Sequence, residues 1–298
     1  MKKCFIGLLT AIMLVSMTGC KNGVSGGESS NPYKKTGTQK INDKSYDIVT
    51  FGSFPQSEKT DDTITVNESE SKTAGSYTYY KGSDNEWYAK LGSKYFKVEP
   101  IKWRILTTDY NGTKKKLLLA ENILINKAYD ASSNNYENSS IRAYLTGDFY
   151  NTAFTTEEQN AIAITTVIND ARSTNPDGDS NAMLWNNGDN PYANDNATSD
   201  KIFLLSEQEV TKDDYGFAAY DVYGTDCTRI RKVTAFARES GTWVSTDSGY
   251  EDGGDWWLRS PYYSDSNSAR YVHYSGDALY GCLVNYFSMG VVPALCLN

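Results

Sequence analysis

Two apolar segments near the C-terminus decide the fold of this chain: residues 256–261, Trp-Trp-Leu-Arg-Ser-Pro, and residues 290–295, Gly-Val-Val-Pro-Ala-Leu. Between them lies a run rich in Tyr, Ser, Asp and Asn. These side chains make adaptable contacts in recognition loops at low entropic cost. The pattern predicts a rigid frame around a ligand-facing surface. Inside the run, four small or apolar residues are also expected to belong to the frame: Ala269, Val272, Gly276 and Val284.

Outward from these segments, strand-like patterns come in pairs. Residues 77–80 and 87–90 flank a Gly-Ser-Asp-Asn turn, and residues 101–106 and 116–119 flank Asn111-Gly112, a dipeptide that readily takes the positive φ angles of a hairpin. Residues 46–52 alternate like a half-buried strand, whereas residues 61–75 are polar and predict a loop.

Short helices are predicted where capping residues precede apolar positions at helical spacing. Two of these helices cover residues 138–145 and 234–238. Two more begin at Thr155 and at Ser206, each with a glutamate three positions later, Glu158 and Glu209. Paired strands, a few short helices, long loops and no βαβ alternation predict the α+β fold class. No internal repeat or linker divides residues 41–298, so we expect one domain there.

The N-terminus has the pattern of a bacterial lipoprotein. Lys2 and Lys3 precede an apolar run that is short for a membrane span, and Met-Thr-Gly-Cys ends at Cys20. We expect residues 1–19 to be a signal peptide and Cys20 to be lipidated. Residues 20–40 have almost no apolar side chains to bury and predict a flexible tether. The expected location is extracytoplasmic, at the surface of a bacterial membrane.

The charge of the chain excludes some partners. Without the predicted leader, 27 basic residues face 37 acidic ones, a formal net charge of −10. An acidic surface argues against nucleic acid and against anionic lipid headgroups. The lipid anchor is therefore the expected contact with the membrane.

Catalytic and metal motifs are scarce. His273 is the one histidine, no Gly-x-Ser-x-Gly or phosphate-binding Gly-rich loop is present, and no Cys-x-x-Cys pair exists. Of Cys227, Cys282 and Cys296, the last two either pair or stay as buried thiols. We expect no cofactor and no enzyme. A calcium ion in residues 169–200, where Asp177-Gly178-Asp179 resembles the start of a calcium loop, is the one exception kept open.

Five ordered motifs resemble a widespread bacterial family of extracytoplasmic domains of unknown function. They are Phe-Gly-Ser-Phe-Pro-Gln at 51–56, Trp-Arg-Ile-Leu at 103–106, Glu-Asn-Ser-Ser-Ile-Arg at 137–142, Asp-Lys-Ile-Phe-Leu-Leu-Ser at 200–206, and the Trp-Trp-Leu-Arg-Ser-Pro segment with its Pro-Ala-Leu end. The resemblance implies a C-type-lectin-like fold related to formylglycine-generating enzymes. Those enzymes use a closely spaced cysteine pair, which Cys282 and Cys296 do not match, so the resemblance extends to the frame and not to the activity.

A second resemblance is to the variable proteins of diversity-generating retroelements, which use this fold. Their adenine mutagenesis acts mainly on asparagine codons, which cannot become Lys, Glu, Gln, Met or Trp codons. None of those five types occurs in the 26 residues from Tyr262 to Phe287, where ordinary usage would give about five. An ordinary Tyr- and Ser-rich surface hairpin is the alternative explanation.

We therefore predict a lipid-anchored surface protein that binds a protein or a glycan with a C-terminal face. The alternatives are a cell-envelope enzyme with an unidentified carboxylate site and an adhesive or structural surface protein. The predicted binding residues are Tyr262, Tyr263, Asp265, Asn267, Tyr271, His273, Tyr274, Asp277, Tyr280, Asn285 and Tyr286.

Overall fold

The computed structural model describes residues 32–41, 43–169, 192, 196–218, 226–262, 265–278 and 280–298. These residues form a mixed α+β structure of mostly antiparallel strands with a few short helices. The α+β class predicted from paired strand patterns is confirmed at this level.

The strands follow one another along the chain with several very short members. The first nine are β1 (Lys34–Ile41), β2 (Lys44–Glu58), β3 (Val66–Ala74), β4 (Tyr77–Gly82), β5 (Trp87–Leu91), β6 (Lys94–Thr107), β7 (Lys116–Ala120), β8 (Asn122–Ile123) and β9 (Ile125–Asn126). The next nine are β10 (Thr165–Val167), β11 (Thr198–Asp200), β12 (Ile202–Phe203), β13 (Lys232–Val233), β14 (Trp256–Pro261), β15 (Ser268–Val272), β16 (Gly281–Leu283), β17 (Gly290–Val291) and β18 (Ala294–Leu297).

Two main sheets organise the described residues, beside two two-stranded sheets formed by β10 with β11 and by β13 with β8. The larger has nine strands, in which β12, β18, β7, β6, β5, β4 and β3 are neighbours in that order and β2 joins β6 to β1. The smaller has five, in the order β16, β15, β14, β17 and β9. Both C-terminal frame segments therefore enter a sheet: the first is β14, and the second supplies β17 and β18.

The described residues include four short α-helices: α1 (Ser140–Tyr144), α2 (Tyr150–Ala153), α3 (Thr156–Ala161) and α4 (Ala235–Glu239). Phe236 of α4 packs edge-on against Phe54 and Phe96 of the larger sheet, with ring centres 5.7 and 5.3 Å apart. Edge-to-face aromatic pairs add about 0.5–1.5 kcal/mol to the stabilisation from burial. The core thus joins α4 to the strands.

The capping hydrogen bonds predicted at the helix starts are confirmed. Thr155 and Glu158 form a complete capping box at α3, and the hydroxyl of Thr234 accepts a hydrogen bond from the Ala237 amide at α4. Ser206 and Glu209 exchange the same reciprocal bonds, at 2.8 and 3.2 Å, before a 3₁₀ turn over Glu209–Thr211. Capping groups act locally, so sequence shows them well.

Both predicted hairpins are present. Strands β4 and β5 pair antiparallel, as do β6 and β7. Asn111 and Gly112 have φ angles of 51° and 72°, as the turn chemistry requires, within a longer connection that includes a 3₁₀ turn.

Two predictions of irregular structure were wrong. Strand β1 occupies the end of the predicted tether, and β3 lies in the predicted loop. Both strands are mainly exposed and pair through backbone hydrogen bonds, with β2 and β4 respectively. Because they bury little side-chain surface, they carry no alternating apolar pattern. The rest of the tether, residues 20–31, lies outside the described residues.

Candidate ligand-binding surface

The two frame segments are confirmed as buried structure. Every residue of β14 is buried, and so are β17 and β18. The four residues expected to belong to the frame inside the run, Ala269, Val272, Gly276 and Val284, are buried as well. The predicted division between frame and surface therefore holds for these positions.

A buried ion pair ties β14 to the segment that follows β12. The Arg259 guanidinium contacts both carboxylate oxygens of Glu209, at 2.5 and 3.1 Å. Tyr110 donates its hydroxyl to Glu209 at 2.6 Å, and Arg259 also donates to the carbonyls of Leu204 and Ile168. Burial acts to raise the pKa of Glu209, but the charge of Arg259 and these hydrogen bonds hold it below its ordinary value.

Strand β15 leads into a tight turn that presents His273 and Tyr274. The His273 amide donates to the Asp277 carbonyl at 2.7 Å, and the Gly276 amide donates to the His273 carbonyl at 2.7 Å. Gly276 has a φ of +87°, which favours glycine. Its missing side chain also matters, because a Cβ there would lie 2.0 Å from the Asp226 carbonyl oxygen.

Around this turn lies what we call the aromatic cluster: Trp243, Tyr250, Tyr271, His273, Tyr274 and Tyr280. Ring centres are 4.0 Å apart for His273 and Tyr274, 5.6 Å for His273 and Tyr280, and 6.1 Å for Tyr271 and Tyr280. Trp243 and Tyr250 approach Tyr274 from the preceding loop, at 5.1 and 6.0 Å. The rings thus form a continuous series of contacts.

Much of the aromatic cluster is exposed. Trp243 is 46% exposed and Tyr280 is 45% exposed, while Tyr271, His273 and Tyr274 are half-buried. The hydroxyl of Tyr274 donates to Asp247 at 2.5 Å, and its amide donates to the Asp255 carboxylate at 2.7 Å. The hydrogen bond to Asp247, followed by burial, raises the pKa of Tyr274 to about 12. The ring of Tyr274 is therefore fixed in place as a neutral phenol.

A second exposed apolar group begins at the last residue of β16 and comprises Leu283, Tyr286 and Phe287. Phe287 is 75% exposed, and its ring lies 5.8 Å from that of Tyr286. The amide of Trp243 donates to the Ser288 carbonyl at 3.0 Å, which brings the loop of Trp243 beside this group. Contiguous exposed apolar surface of this kind marks interaction sites.

The structure brings together only part of the predicted site. The aromatic cluster brings together four of the predicted residues, Tyr271, His273, Tyr274 and Tyr280. The carbonyl of Asp277 accepts a backbone hydrogen bond in the turn after β15. Asn285 and Tyr286 are exposed a few positions further along the chain. Tyr263 lies outside the described residues.

Asp265 and Asn267 precede β15, at the end of the strand away from His273. Asp265 accepts the Asn267 amide at 3.0 Å, and its carbonyl accepts from Asn134 at 2.8 Å. Five residues of strand extend about 17 Å, so these two side chains are distant from the turn. They serve the local loop structure in this arrangement.

Tyr262 differs from the other predicted tyrosines because its ring packs within the frame. The Arg270 guanidinium lies 4.6 Å from the ring centre, and a Cβ on Gly281 would lie 2.3 Å from the ring. Arg270 in turn contacts buried Glu207 at 3.1 Å. Tyr262 therefore links the strand β16 to a buried ion pair.

Sequence reasoning missed Trp243, Tyr250 and Asp247, which lie in the loop between α4 and β14. The available signal was an isolated Trp in a Gly-, Ser-, Thr- and Asp-rich segment, where no apolar periodicity calls for a large ring. Leu283 and Phe287 were missed because an apolar residue next to a strand is ordinarily assigned to the core.

The same loop borders an open groove of about 600 Å³. Its lining residues are Arg238, Thr242, Trp243, Val244, Ser245, Thr246, Glu251 and Asp252. Asp252 pairs with Arg238 at 3.1 Å and with Lys232 at 3.7 Å. The hydroxyl of Thr242 is buried at the groove wall and has no hydrogen-bond partner within the described residues.

Cys282 and Cys296 are free thiols in the structure. Cys227 is exposed, Cys282 is half-buried in β16, and Cys296 is buried in β18. Burial raises the pKa of Cys282 to about 11 and that of Cys296 to about 12. Of the two alternatives left by the sequence, the structure has the unpaired one for Cys282 and Cys296.

Within the described ranges, no group of three or more His, Cys, Asp or Glu side chains is placed to hold a metal ion. The calcium-like residues 177–181 lie outside those ranges, so that expectation stays a prediction. No helix in the described part of the chain has both the length and the apolar character needed to cross a membrane.

Comparison with known proteins gives one match. A family model described as Domain of unknown function (DUF6273) matches residues 113–298, which include the smaller sheet and the whole aromatic cluster. No curated protein and no solved structure matches the chain.

Proposed function

This chain belongs to the DUF6273 family of domains of unknown function, and we propose that it is a lipid-anchored surface protein that binds a protein or glycan through the aromatic cluster. The observation that carries the proposal is the chain of ring contacts from Trp243 through Tyr274 to Tyr280, exposed at both ends. Aromatic rings contribute large, rigid contact area to binding surfaces. A rigid frame beneath them lowers the entropic cost of binding.

The buried strands support the proposed binding role, because the residues that stabilise the fold differ from those that would contact a ligand. Strand β14 and the segments β17 and β18 are buried, whereas the described residues of the turn after β15 include no core side chain larger than Ala278. We propose that the fold is C-type-lectin-like, on the basis of its antiparallel strands, few short helices and long loops. An experimental structure that superposes on no C-type-lectin-like domain would contradict that assignment.

Simultaneous replacement of Tyr271, Tyr274 and Tyr280 by Ala should abolish recognition. We expect the variant to bind at least about 100-fold more weakly, since interface tyrosines commonly contribute more than about 1 kcal/mol each. The measurement uses the labelled full chain on an array that displays both oligosaccharides and surface proteins.

Two matched variants make that test specific. Tyr80→Ala with Tyr95→Ala removes half-buried tyrosines from the larger sheet and should leave the array profile unchanged. Replacement of the three cluster tyrosines by Phe keeps the rings and should retain most of the binding. A cluster Ala variant that folds normally and keeps the wild-type profile would refute the proposed function.

The proposed anchor predicts a separate result for Cys20. The Cys20→Ser variant should lose incorporation of a labelled fatty acid and leave the membrane fraction, because stable anchoring needs two or more acyl chains. The measurement is metabolic labelling with detergent phase partitioning. Retained label and unchanged membrane association would show that Cys20 is not the lipidated residue.

We further propose that the surface positions between Tyr262 and Phe287 are diversified. Support comes from the missing Lys, Glu, Gln, Met and Trp residues in that run, together with the burial of Val284 between exposed Leu283 and exposed Asn285. The adjacent DNA decides the matter. A near-copy of codons 256–297 beside a reverse transcriptase would support diversification, and its absence would exclude it.

A further inference from the structure

The groove beside Trp243 extends the aromatic cluster outside the C-terminal run. Its volume of about 600 Å³ falls within the range of about 300–1,000 Å³ found for small-ligand sites. Trp243 lines the groove and also contacts Tyr274 at 5.1 Å. One indole ring thus belongs to both the groove and the cluster.

The loop that forms the groove is braced by backbone hydrogen bonds. Ser245 donates its amide to the Gly253 carbonyl at 2.8 Å, and Asp252 donates to the Ser245 carbonyl at 3.1 Å. The Trp243 amide bonds to Ser288 at 3.0 Å. A preformed groove binds a ligand without first ordering its own loop.

The groove has a small excess of acidic side chains, because Arg238, Glu251 and Asp252 line it. Asp252 pairs with Arg238 and with Lys232 beside the groove, and Glu251 accepts the Gly249 amide at 2.9 Å. The negative excess disfavours a phosphate, and the pairing of Asp252 with two basic side chains disfavours a cation. This composition therefore suits a neutral, polar ligand.

The Thr242 hydroxyl lies beneath the groove surface. Within the described residues it is buried without a hydrogen-bond partner, an arrangement that costs free energy and is rare in folded proteins. Because this hydroxyl is closed to solvent, the ligand contacts in the groove fall to Trp243 and to the carboxylate of Glu251.

We propose that this groove is a carbohydrate subsite of the binding surface. The apolar C–H face of a pyranose ring would stack on Trp243, while its hydroxyl groups would bond to the carboxylate of Glu251. Longer oligosaccharides would reach Tyr274. This inference rests on the proposed function and names the groove beside Trp243 as the place where a glycan ligand would bind.

The test uses the full chain on an array of neutral oligosaccharides, with sialylated and sulfated glycans and peptides as comparison probes. We expect saturable binding to neutral oligosaccharides. Trp243→Ala should weaken that binding at least tenfold, and Trp243→Phe should restore most of it. Trp87→Ala, which alters a half-buried Trp of β5 in the larger sheet, should have no effect.

The outcomes distinguish this inference from the proposed function. Binding to peptides or anionic glycans alone, no binding to neutral glycans, or full binding by Trp243→Ala would each overturn the carbohydrate subsite. If the tyrosine triple variant nevertheless loses array binding, the proposed function stands without the subsite. If neither variant changes the profile, both fail.

Discussion

Replacing Arg259 by Met is expected to lower the free energy of unfolding by about 3–5 kcal/mol, because it leaves the buried Glu209 carboxylate without its counter-charge. The pair is almost fully buried, and the shorter of its two contacts is 2.5 Å. Urea denaturation at neutral pH measures the loss. Arg238→Met is the matched control, since Arg238 forms an ion pair whose Arg side chain is 56% exposed and should contribute less than about 1 kcal/mol.

The pH dependence of the two proteins should have opposite signs. In the wild type, the pKa of Glu209 lies below its ordinary value of 4.5. Its contribution to stability is therefore complete above that value and is lost as the pH falls through the lower, folded-state pKa. In Arg259→Met, burial without the guanidinium should raise the pKa, so the variant should lose stability as the pH rises above about 4.5.

A double variant checks the cause. Arg259→Met with Glu209→Gln has no buried charge, and the amide oxygen can still accept from Tyr110. We expect it to recover part of the lost stability and to show neither pH trend. If Arg259→Met costs no more than Arg238→Met, the buried ion pair does not stabilise the frame in the way described.

Gly276→Ala should be the most damaging small substitution in the turn that carries His273 and Tyr274. The left-handed backbone costs an L-residue about 1–2 kcal/mol, and the contact with the Asp226 backbone adds about 1–3 kcal/mol more. Because the neighbouring atom belongs to the backbone, no side-chain rotation relieves the clash. Urea denaturation measures the summed loss of unfolding free energy. The ring contacts of the aromatic cluster should loosen as the turn is distorted.

Gly249→Ala separates these two contributions. Gly249 has a φ of +88°, nearly the same as Gly276, but no atom of the described residues lies within 4 Å of the position that a Cβ would take there. It should therefore lose only the conformational part, about 1–2 kcal/mol. Equal losses for the two variants would show that the approach of Asp226 to Gly276 does not restrict that position.

Local chemistry made much of the fold predictable. The capping box at Thr155, the reciprocal bonds of Ser206 and Glu209, and the positive φ angles of Asn111 and Gly112 depend on residues a few positions apart. The burial of β14 followed from an apolar run with two Trp residues. Strands β1 and β3 could not be predicted, since their stabilisation comes from backbone pairing with neighbouring strands and leaves no apolar pattern.

The candidate site was predictable in part for the same reason. Tyr271, His273, Tyr274 and Tyr280 lie within ten positions of sequence, on β15 and on the connection from β15 to β16, so their convergence could be expected. Tyr262 has the same composition around it, yet tertiary packing places Arg270 over its ring. Trp243 reaches Tyr274 across 31 positions of sequence, and only the fold reveals that contact.

The most direct test of ligand binding at this surface is an NMR titration that follows the tryptophan indole N–H signals as the strongest binder from the array is added. The indole nitrogens of Trp103, Trp256 and Trp257 are held by the carbonyls of Phe51, Arg229 and Lys127 inside the frame. We predict that the Trp243 signal, assigned with Trp243→Phe, shifts with saturation while those three stay fixed. A titration that shifts Trp87 and leaves Trp243 unchanged would contradict the account.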